Sequence, residues 1–512
     1  MALAKVNSCG LAGIDGYIIE VEADLVQGLP GIDIVGLADT AVKESKERIK
    51  SAIKNSGLSL PQKRIIINLA PAHTKKEGIS LDLPICMAIL AASGQITQDA
   101  CKDCIMMGEL SLDGGIRHAH GVLAAAVCAR DMGFKRLLVP YDNATEASVV
   151  DGIEVLGAHT LKDAVDYFRG EGRMEPTTCD IGHLFEKVWD SELNYADVKG
   201  QDTAKRALEV AAAGGHNCLM IGSPGSGKTM LAKRLPSILP RMSFEEALEV
   251  TKIYSVSGKL TADTPLITKR PFRSPHHTSS AVSLTGGGSN LKPGEISLAH
   301  RGVLFLDEFP EFRKDAIEAM RQPIEDGCVT VSRVSGSSVF PSSVMLIASM
   351  NPCKCGYYGD ANRECTCSAS QIQSYLGKVS GPMLDRFDLH IEVAAVKYEE
   401  LSSSHKGESS EQIRQRVDKA RQIQIERYKG TDIYCNAQLI PNLMERHCTL
   451  NDEAKSLLSG AFDALGLSAR AHSRILKVAR TIADLSGSEN IETMHLAEAI
   501  QYRSLDKKFW SN

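Results

Sequence analysis

The pattern of apolar and polar positions divides the chain into three regions. Between residues 15 and 160, strand-like runs such as "GYIIEVEA", "RIIINLA" and "RLLVP" alternate with helix-like stretches such as "LPICMAILAASG" and "VLAAAVCARDMG". A second α/β pattern runs from about Leu193 to Val396, and the sequence after Glu411 has helical periodicity without strand signals. The predicted fold class is therefore α/β, with two α/β domains followed by an all-helical domain.

Two polar stretches separate these regions. "RGEGRMEPTTCDIGH" is rich in Gly, Pro and Thr and is typical of a linker, and "EELSSSHKGESSE" is typical of a connector. The predicted division is an N-terminal domain at 1–168, a linker at 169–192, a second α/β domain at 193–396, a connector at 397–410 and a helical domain at 411–512. A chain of 512 residues agrees with about three domains.

Composition narrows the protein class. Hydrophobic residues make up 43% and charged residues 24%, as in an ordinary globular protein. We expect a cytoplasmic protein without a membrane segment, because no signal-peptide pattern and no apolar window of about 18 residues is found. The net charge of −5 argues against coating nucleic acid through overall basicity. If the protein binds DNA, its positive charge must be local, in a groove or a pore.

A phosphate-binding motif lies near the middle of the chain. "CLMIGSPGSGKTMLAKRL" reads as a strand, a glycine-rich loop matching G-x-x-x-x-G-K-[ST], and a helix. Backbone N–H groups of such a loop cradle phosphate, with Lys228 on the β/γ-phosphates and Thr229 on Mg²⁺. The motif thus predicts ATP and Mg²⁺ as cofactors. The predicted nucleotide contacts are Gly222, Pro224, Gly225, Gly227, Lys228, Thr229 and Met230.

Two further strands complete the expected nucleotide site. "RGVLFLDEFPEF" ends a buried strand in two acids, of which Asp307 is predicted to hold Mg²⁺ and Glu308 to orient the attacking water. The alternative is a pair of solvated acids at a strand end. "SVMLIASMNP" is another apolar strand, ending at Asn351.

Together with "GPMLDRFDLHIEV" and "LSARAHSRILKVARTIADL", these motifs resemble the AAA+ ATPases, in particular the magnesium-chelatase-like branch. "RSPHHTSSAVSLTGGGSNLKPGEISLAHRGVLFLDEFPEF" and "IEAMRQPIEDG" resemble the ComM/YifB family more narrowly. The likeness covers nearly the full chain. It implies a central AAA+ P-loop domain and a C-terminal helical lid.

The resemblance also implies roles for three polar residues. Asn351 corresponds to the sensor of the γ-phosphate, Arg386 in "LDRFD" to an arginine finger that reaches a neighbouring subunit, and Arg470 in "SAR" to the lid sensor, with Arg474 as a competitor. A finger that acts in trans implies an oligomer, and the family implies a homohexameric ring. The alternative for both arginines is a surface salt bridge.

Two segments are candidates for DNA contact, to single-stranded or branched DNA. "KRPFRSPHHTSSAVSLTGGGSNLKPG" is basic and flexible in composition, and the hairpin-like "CVTVSRVSGSSVF" carries Arg333. In the related replicative MCM helicases, hairpins at both places project into the pore of the ring. The alternative is a solvated face or a surface between subunits. The candidate residues are Lys269, Arg270, Arg273, Lys292 and Arg333.

Four cysteines form two C-x-C pairs in "MNPCKCGYYGDANRECTCS". Cys353, Cys355, Cys365 and Cys367 offer four thiolates, the donor set of a structural Zn²⁺ site that would pin a surface loop. Reduced cysteines that pack, or a redox pair, are the alternatives, because C-x-C is tighter than the common C-x₂-C spacing.

The N-terminal region resembles the Lon protease domain through "TKKEGISLDLPICMAIL" and "MGELSLDGGIRHAHGVLAAAV". Ser80 falls close to the place of the nucleophile, but Leu123 stands where the family has its lysine base. A serine without a base is a poor nucleophile, so the domain is predicted to be inactive as a protease.

The family resemblance implies an ATP-driven ring motor of the helicase type. The ComM/YifB family is associated with branch migration during recombination of incoming DNA in natural transformation. The alternative is an ATP-dependent chelatase or protein-remodelling subunit that does not act on DNA. A third reading, an ATP-dependent protease, is opposed by Leu123.

Overall fold

The computed structural model describes residues 3–72, 74, 76, 80–186, 193–261, 263–288, 291–333, 336–360, 363–396 and 407–510. The chain forms two compact units. Unit 1 comprises Met1–Lys187 and Phe244–Thr268, and unit 2 comprises Val188–Ser243 and Lys269–Asn512. Among the described residues, we find no helix that combines the length and the apolar character needed to cross a membrane.

Unit 1 is built on a mixed seven-stranded sheet in the order β3-β4-β2-β1-β5-β8-β9. Strands β1, β2 and β4 pair antiparallel, and the other neighbours pair parallel. Strands β6 and β7 form a separate hairpin. The strands are β1 Leu3–Ala12, β2 Asp15–Val26, β3 Gly31–Val35, β4 Arg64–Ala70, β5 Cys104–Met106, β6 Glu109–Leu110, β7 Ile116–Arg117, β8 Arg136–Pro140 and β9 Glu154–Ala158.

Helices cover this sheet. The burial of β4 alternates, with Ile65, Ile67 and Leu69 inside, as expected for a strand with one face on the core. Helix α2 is buried on almost every side, which explains its continuously apolar sequence. The helices of unit 1 are α1 Thr40–Asn55, α2 Asp82–Ala92, α3 Gln98–Cys101, α4 Val122–Asp131, α5 Tyr141–Ala147, α6 Leu161–Arg169, α7 Ile181–Glu186 and α10 Phe244–Ser257.

Helix α10 belongs to unit 1 although it follows the phosphate-loop helix in sequence. Lys252 pairs with Asp15 at 3.1 Å, and the carbonyl of Ser255 accepts from the backbone N–H of Gly121 at 3.3 Å. The Ser255 hydroxyl donates to the buried carboxylate of Glu146. The sequence predicted 193–396 as one domain, so the placement of 244–268 with unit 1 is a finding of the structure.

Unit 2 contains a five-stranded sheet in the order β11-β14-β17-β10-β18, in which all neighbours are parallel. In such a sheet, the loops at the carboxyl ends of the central strands meet at one edge, where ligands bind. Two hairpins, β12–β13 and β15–β16, stand apart from it. The strands are β10 Cys218–Ile221, β11 Phe272–Arg273, β12 Gly286–Gly287, β13 Lys292–Pro293, β14 Val303–Leu306, β15 Cys328–Arg333, β16 Gly336–Pro341, β17 Met345–Met350 and β18 Leu389–Glu392.

The sheet and the C-terminal helices share one core, in which Ala211, Ile347, Val417 and Ile475 are buried together. The helices of unit 2 are α8 Asp202–Gly214, α9 Lys228–Arg234, α11 Ala281–Thr285, α12 Glu295–Leu298, α13 Lys314–Ala319, α14 Arg321–Asp326, α15 Ala369–Leu376, α16 Gly381–Leu384, α17 Ser410–Arg427, α18 Pro441–His447, α19 Asp452–Leu465, α20 Ala469–Leu485, α21 Thr493–Gln501 and α22 Ser504–Trp510. Short 3₁₀ turns lie at Tyr195–Asp197, Leu235–Ile238, Phe309–Glu311 and Asn436–Gln438.

The predicted fold class is confirmed: two mixed α/β regions precede an all-helical one. Part of the predicted linker, 187–192, and most of the predicted connector, 397–406, lie outside the described residues.

Candidate active site

The phosphate loop connects β10 to α9. Gly225 and Gly227 adopt φ values of 78° and 94°, a region in which glycine is at ease and other residues are strained. A Cβ on Gly222 would come within 2.3 Å of the carbonyl oxygen of Val393. The loop therefore needs glycine at all three positions, and its tight course directs backbone N–H groups to one side.

Lys228 begins α9 and is largely buried. Its Nζ donates to the carbonyl oxygens of Gly222 at 2.7 Å and Ser223 at 2.9 Å, and to Oδ1 of Asn351 at 3.2 Å. Burial lowers the pKa of Lys228 to about 8, against the opposing attraction of Asp307. The predicted phosphate ligand and the predicted sensor are therefore in direct contact.

Thr229 and Asp307 meet at the same edge of the sheet. The hydroxyl of Thr229 donates to Oδ2 of Asp307 at 2.7 Å, and the hydroxyl of Ser349 donates to Oδ1 of Asp307. A hydroxyl beside a carboxylate is the hard oxygen donor set that Mg²⁺ takes from a protein when phosphate oxygens and water supply the rest. The residues present thus fit a Mg²⁺–nucleotide complex at this place.

Glu308 follows Asp307 in a left-handed conformation, with φ of 51°. A non-glycine residue in this region is uncommon, and such residues are frequent at functional sites. The Glu308 side chain is 61% exposed, and its Oε2 lies 3.3 Å from Nδ1 of His277. The carboxylate therefore faces away from the core and is accessible to water.

The lowered pKa of Lys228 predicts a pH dependence of nucleotide binding. The ammonium ion binds phosphate, and its proton is lost as the pH rises through about 8. Because bound phosphate raises that pKa, affinity for an ATP analogue should fall above it, by up to about tenfold per pH unit. Titrations from about pH 7 to pH 10 test this. Lys228→Arg is the control, since arginine stays charged and should give a flat profile; equal slopes would contradict the prediction.

The predicted finger and lid arginines lie near each other in unit 2. Arg386 is 10% exposed, pairs with Glu325 and donates to the carbonyl of Pro382 at 3.1 Å. Arg470 is 63% exposed, with its Nη1 3.3 Å from Oδ2 of Asp385. The alternative candidate for the lid sensor, Arg474, is largely buried, and its Nη1 donates to the carbonyl oxygen of Phe387 at 3.0 Å. Arg470 is therefore the more accessible of the two, and both roles stay predictions.

The basic residues predicted for DNA contact differ in their surroundings. Arg270 donates to the carbonyl oxygens of Pro240 and Arg301, each at 2.7 Å, and Arg273 forms a two-pronged pair with Glu295 at 2.6 and 2.8 Å. These two guanidinium groups therefore hold the fold together. Lys269 and Lys292 are exposed. Arg333 ends β15, the first strand of the predicted hairpin, and its side chain lies outside the described residues.

The four cysteines of the C-x-C pairs form one cluster, and all four sulfur atoms lie within 4.8 Å of one another. The Sγ of Cys353 is 3.3 Å from that of Cys355 and 3.6 Å from that of Cys365. Four thiolates around Zn²⁺ at about 2.3 Å would stand about 3.8 Å apart. The spacing and the donor chemistry fit a tetrahedral Zn²⁺ site, with Cys367 as the fourth ligand.

The thiols of this cluster differ in pKa: that of Cys355 is lowered, whereas those of Cys365 and Cys367 are raised, although a backbone hydrogen bond to each acts to lower it. Although burial acts in the opposite sense, hydrogen bonds from the backbone of Tyr357 and Thr366 hold the pKa of Cys355 down, to about 5. The N–H of Cys355 in turn donates to the Sγ of Cys367 at 3.4 Å. Hydrogen bonds and charge from the neighbouring cysteines raise the pKa of Cys365 and Cys367, because four adjacent thiolates repel one another unless a cation neutralises them.

Comparison with known proteins identifies the family to which the chain belongs. It is 43% identical over 516 residues to the competence protein ComM of Haemophilus influenzae, covering 99% of this chain and 98% of the relative. It is 42% identical over 510 residues to the uncharacterized protein YifB of Escherichia coli, covering 99% and 98%. The chain belongs to the ComM/YifB family. The resemblance predicted from the motifs is therefore confirmed.

Three sequence families match this chain, and each of them is named after a subunit of magnesium chelatase. "Magnesium chelatase, subunit ChlI" matches residues 194–401, "Subunit ChlI of Mg-chelatase" matches 21–143, and "Magnesium chelatase, subunit ChlI C-terminal" matches 407–503. A weaker similarity, 25% identity over 171 residues, links the chain to the archaeal Lon protease of Methanocaldococcus jannaschii, covering 32% of this chain and 26% of that protein. This chain thus combines a magnesium-chelatase-like AAA+ region with a weak likeness to Lon.

Among the described residues of this Lon-like segment, no basic side chain is hydrogen-bonded to the Ser80 hydroxyl. Leu123 is fully buried in α4, and its backbone N–H donates to Glu146 at 3.2 Å. The carbonyl of Ser80 accepts from Gly108 at 2.9 Å. The neighbouring Lys76 is buried, with its Nζ on the carbonyl of Pro71, and burial lowers its pKa. The Leu123 side chain has no group that can accept a proton, and inactivity of this domain as a protease stays a prediction.

Two contacts in the site, those of Ser349 with Asp307 and of His277 with Glu308, could not be predicted from the sequence. Ser349, whose hydroxyl donates to Asp307, is the polar residue within the otherwise apolar strand β17, and this polarity is the sole indication of its role in the sequence. His277 was predicted as part of a basic segment, and only the fold brings it to Glu308, 31 residues further along the chain.

Proposed function

We propose that the protein is an ATP hydrolase that works as a homohexameric ring motor on single-stranded or branched DNA. The observation that carries the proposal is the convergence of Lys228, Thr229, Asp307 and Asn351 at the carboxyl edge of the parallel sheet, with Glu308 beside them. Mg²⁺ bound there would neutralise phosphate charge. In this arrangement, Lys228 binds phosphate, Asn351 positions the ammonium ion, and Glu308 accepts the proton of the attacking water.

The proposal that this ATP hydrolase acts on DNA rests on the relatives of the protein. The ComM relative is named a competence protein, which supports a role in natural transformation. We propose branch migration during recombination of incoming DNA as that role. Lys269, Lys292 and Arg333 supply the DNA contact, while the paired Arg270 and Arg273 shape the segment that presents it. The domain division at 1–168, 193–396 and 411–512 is proposed with it, the first domain being inactive as a protease.

The function is tested with DNA. We expect native protein to hydrolyse ATP faster in the presence of forked or four-way DNA and to displace a strand from it. Arg333→Ala should keep basal hydrolysis and lose the stimulation, because a phosphate contact in the pore is lost. Arg313→Ala, an exposed arginine paired with Asp315 at 2.9 Å, is the control and should behave as native.

If the native protein hydrolyses ATP at the same rate with and without DNA, the alternative function, which does not involve DNA, is favoured. The magnesium-chelatase family matches support a chelatase-like or protein-remodelling subunit in that case. Stimulation by a metalloporphyrin precursor in place of DNA would identify the first of these.

We also propose that the cysteine cluster binds one Zn²⁺ per chain. Cys365→Ser with Cys367→Ser should abolish a stoichiometric zinc signal in metal analysis, because two of four ligands are lost. Cys179→Ser removes a cysteine outside the cluster and should leave the signal intact. Native protein that is purified without metal and does not take up Zn²⁺ would contradict the proposal.

A further inference from the structure

The short stretch from Met350 to Gly356 contacts the phosphate loop at three points. The carbonyl of Met350 accepts from the N–H of Gly222 at 3.2 Å. Oδ1 of Asn351 accepts from Nζ of Lys228 at 3.2 Å. Gly356 packs on Pro224 at the crest of the loop. One segment therefore supports the beginning, the crest and the lysine of the phosphate loop.

The contact between Gly356 and Pro224 leaves no room for a side chain. Gly356 is buried and has φ of 90°. A Cβ there would lie 2.6 Å from both Cδ and Cγ of Pro224 and 3.9 Å from Cγ of Asn351. Only the bare backbone of glycine permits this approach, so the position of Gly356 limits where the phosphate loop can lie.

The cysteine cluster fixes the turn that carries Gly356. Gly356 follows Cys355, its N–H donates to the carbonyl of Cys353 at 3.1 Å, and the N–H of Cys355 donates to Sγ of Cys367 at 3.4 Å. Apart from the buried Pro352 and the ring contact of Tyr358 with Phe509, few apolar side chains anchor the turn, and Lys354 and Gly359 are exposed. An ion bound by the four clustered sulfur atoms would therefore supply the main cross-link of this turn.

We propose that metal occupancy of the cysteine cluster sets nucleotide affinity, because the metal holds Gly356 and Asn351 against the phosphate loop. The cluster is then a positioning element of the ATP site and makes ATP binding depend on Zn²⁺ and on reduced thiols. This inference rests on the proposed metal and nucleotide sites. It goes beyond them by assigning the metal a role in ligand binding rather than in local folding alone.

Gly356→Ala is the direct test, with Gly359→Ala as its matched control. Both glycines lie in the same loop and have positive φ, 90° and 77°, but a Cβ on Gly359 would meet only the end of Lys508, at 3.8 Å. Both variants should retain one zinc per chain. Gly356→Ala should bind a non-hydrolysable ATP analogue about tenfold more weakly than native, through displacement of Pro224, and Gly359→Ala should bind as native does.

Metal removal is the second arm, carried out on the native full chain. A chelator that strips the zinc should weaken analogue binding to a similar degree, and added Zn²⁺ should restore it. Native-like affinity in Gly356→Ala, or in the stripped protein, would overturn the inference while leaving the ATP site in place. Native protein that binds no nucleotide would instead overturn the proposed function, so the two failures are distinguishable.

Discussion

Replacing Glu308 with glutamine should leave ATP binding intact and lower its hydrolysis by about 10²- to 10⁴-fold, the usual contribution of a general base. The side chain is 61% exposed and follows the predicted Mg²⁺ ligand Asp307 in an uncommon left-handed conformation. Glutamine keeps the shape of the side chain but cannot accept the proton of water. Steady-state hydrolysis and equilibrium binding of an ATP analogue, measured on the same preparation, separate the two effects.

The fold should survive this change, because the contact that Glu308 makes with His277 is partly exposed and contributes little to stability. Glu311→Gln is the matched control: it neutralises an acid three residues away and breaks another partly exposed contact, the pair with Lys378 at 3.0 Å. Native hydrolysis is expected from this control. Hydrolysis retained in Glu308→Gln would remove Glu308 from the mechanism and leave Mg²⁺ binding at Asp307 unaffected.

Replacing Arg386 with alanine should lower ATP hydrolysis by about 10³-fold or more, the contribution of an arginine finger. The competing explanation is structural, since Arg386 is mostly buried and pairs with Glu325. Glu325→Gln separates the two: it breaks the same pair but keeps the guanidinium group. We expect near-native hydrolysis from Glu325→Gln, and a loss equal to that of Arg386→Ala would assign Arg386 to the fold.

Mixing subunits tests whether Arg386 acts across an interface. Glu308→Gln and Arg386→Ala should each be inactive alone, but a mixed ring brings an intact Glu308 and an intact Arg386 together at about one interface in four. Hydrolysis should therefore reappear on mixing, to about that fraction of the native rate. Size-exclusion chromatography with light scattering measures the oligomeric state directly. A monomer that hydrolyses ATP would contradict the role of Arg386 as an arginine finger acting between subunits.

The arrangement of the candidate nucleotide site could be predicted because its motifs are local in the sequence. Eight consecutive residues define the phosphate loop, and the glycines at 225 and 227 adopt the positive φ values that the motif requires. The acids at 307 and 308 follow an apolar strand directly. Parallel strands bring their carboxyl ends to one edge, so three strand ends predict one site. The cysteine cluster was predictable for the same reason, since two C-x-C pairs need only one loop to meet.

The uses of individual charges were not predictable in this way. Arg270 and Arg273 look alike in a basic segment, yet each is engaged by backbone carbonyls or by Glu295, groups that the fold brings close. Whether Arg470 or Arg474 is accessible depends on which face of α20 packs on the core. The sequence carries the charge, but its partner is set by packing between distant segments.

By itself, the sequence determined the fold class, the phosphate loop with its acids, the four candidate metal ligands and the family. Those features follow from short spacings and from periodicity, which the backbone translates directly into structure. Only the tertiary structure decided that Phe244–Thr268 packs with the N-terminal unit, that His277 reaches Glu308, and that Gly356 supports Pro224. Such contacts join residues far apart in the chain or depend on spaces of a few tenths of an ångström, and close packing of the whole fold fixes both.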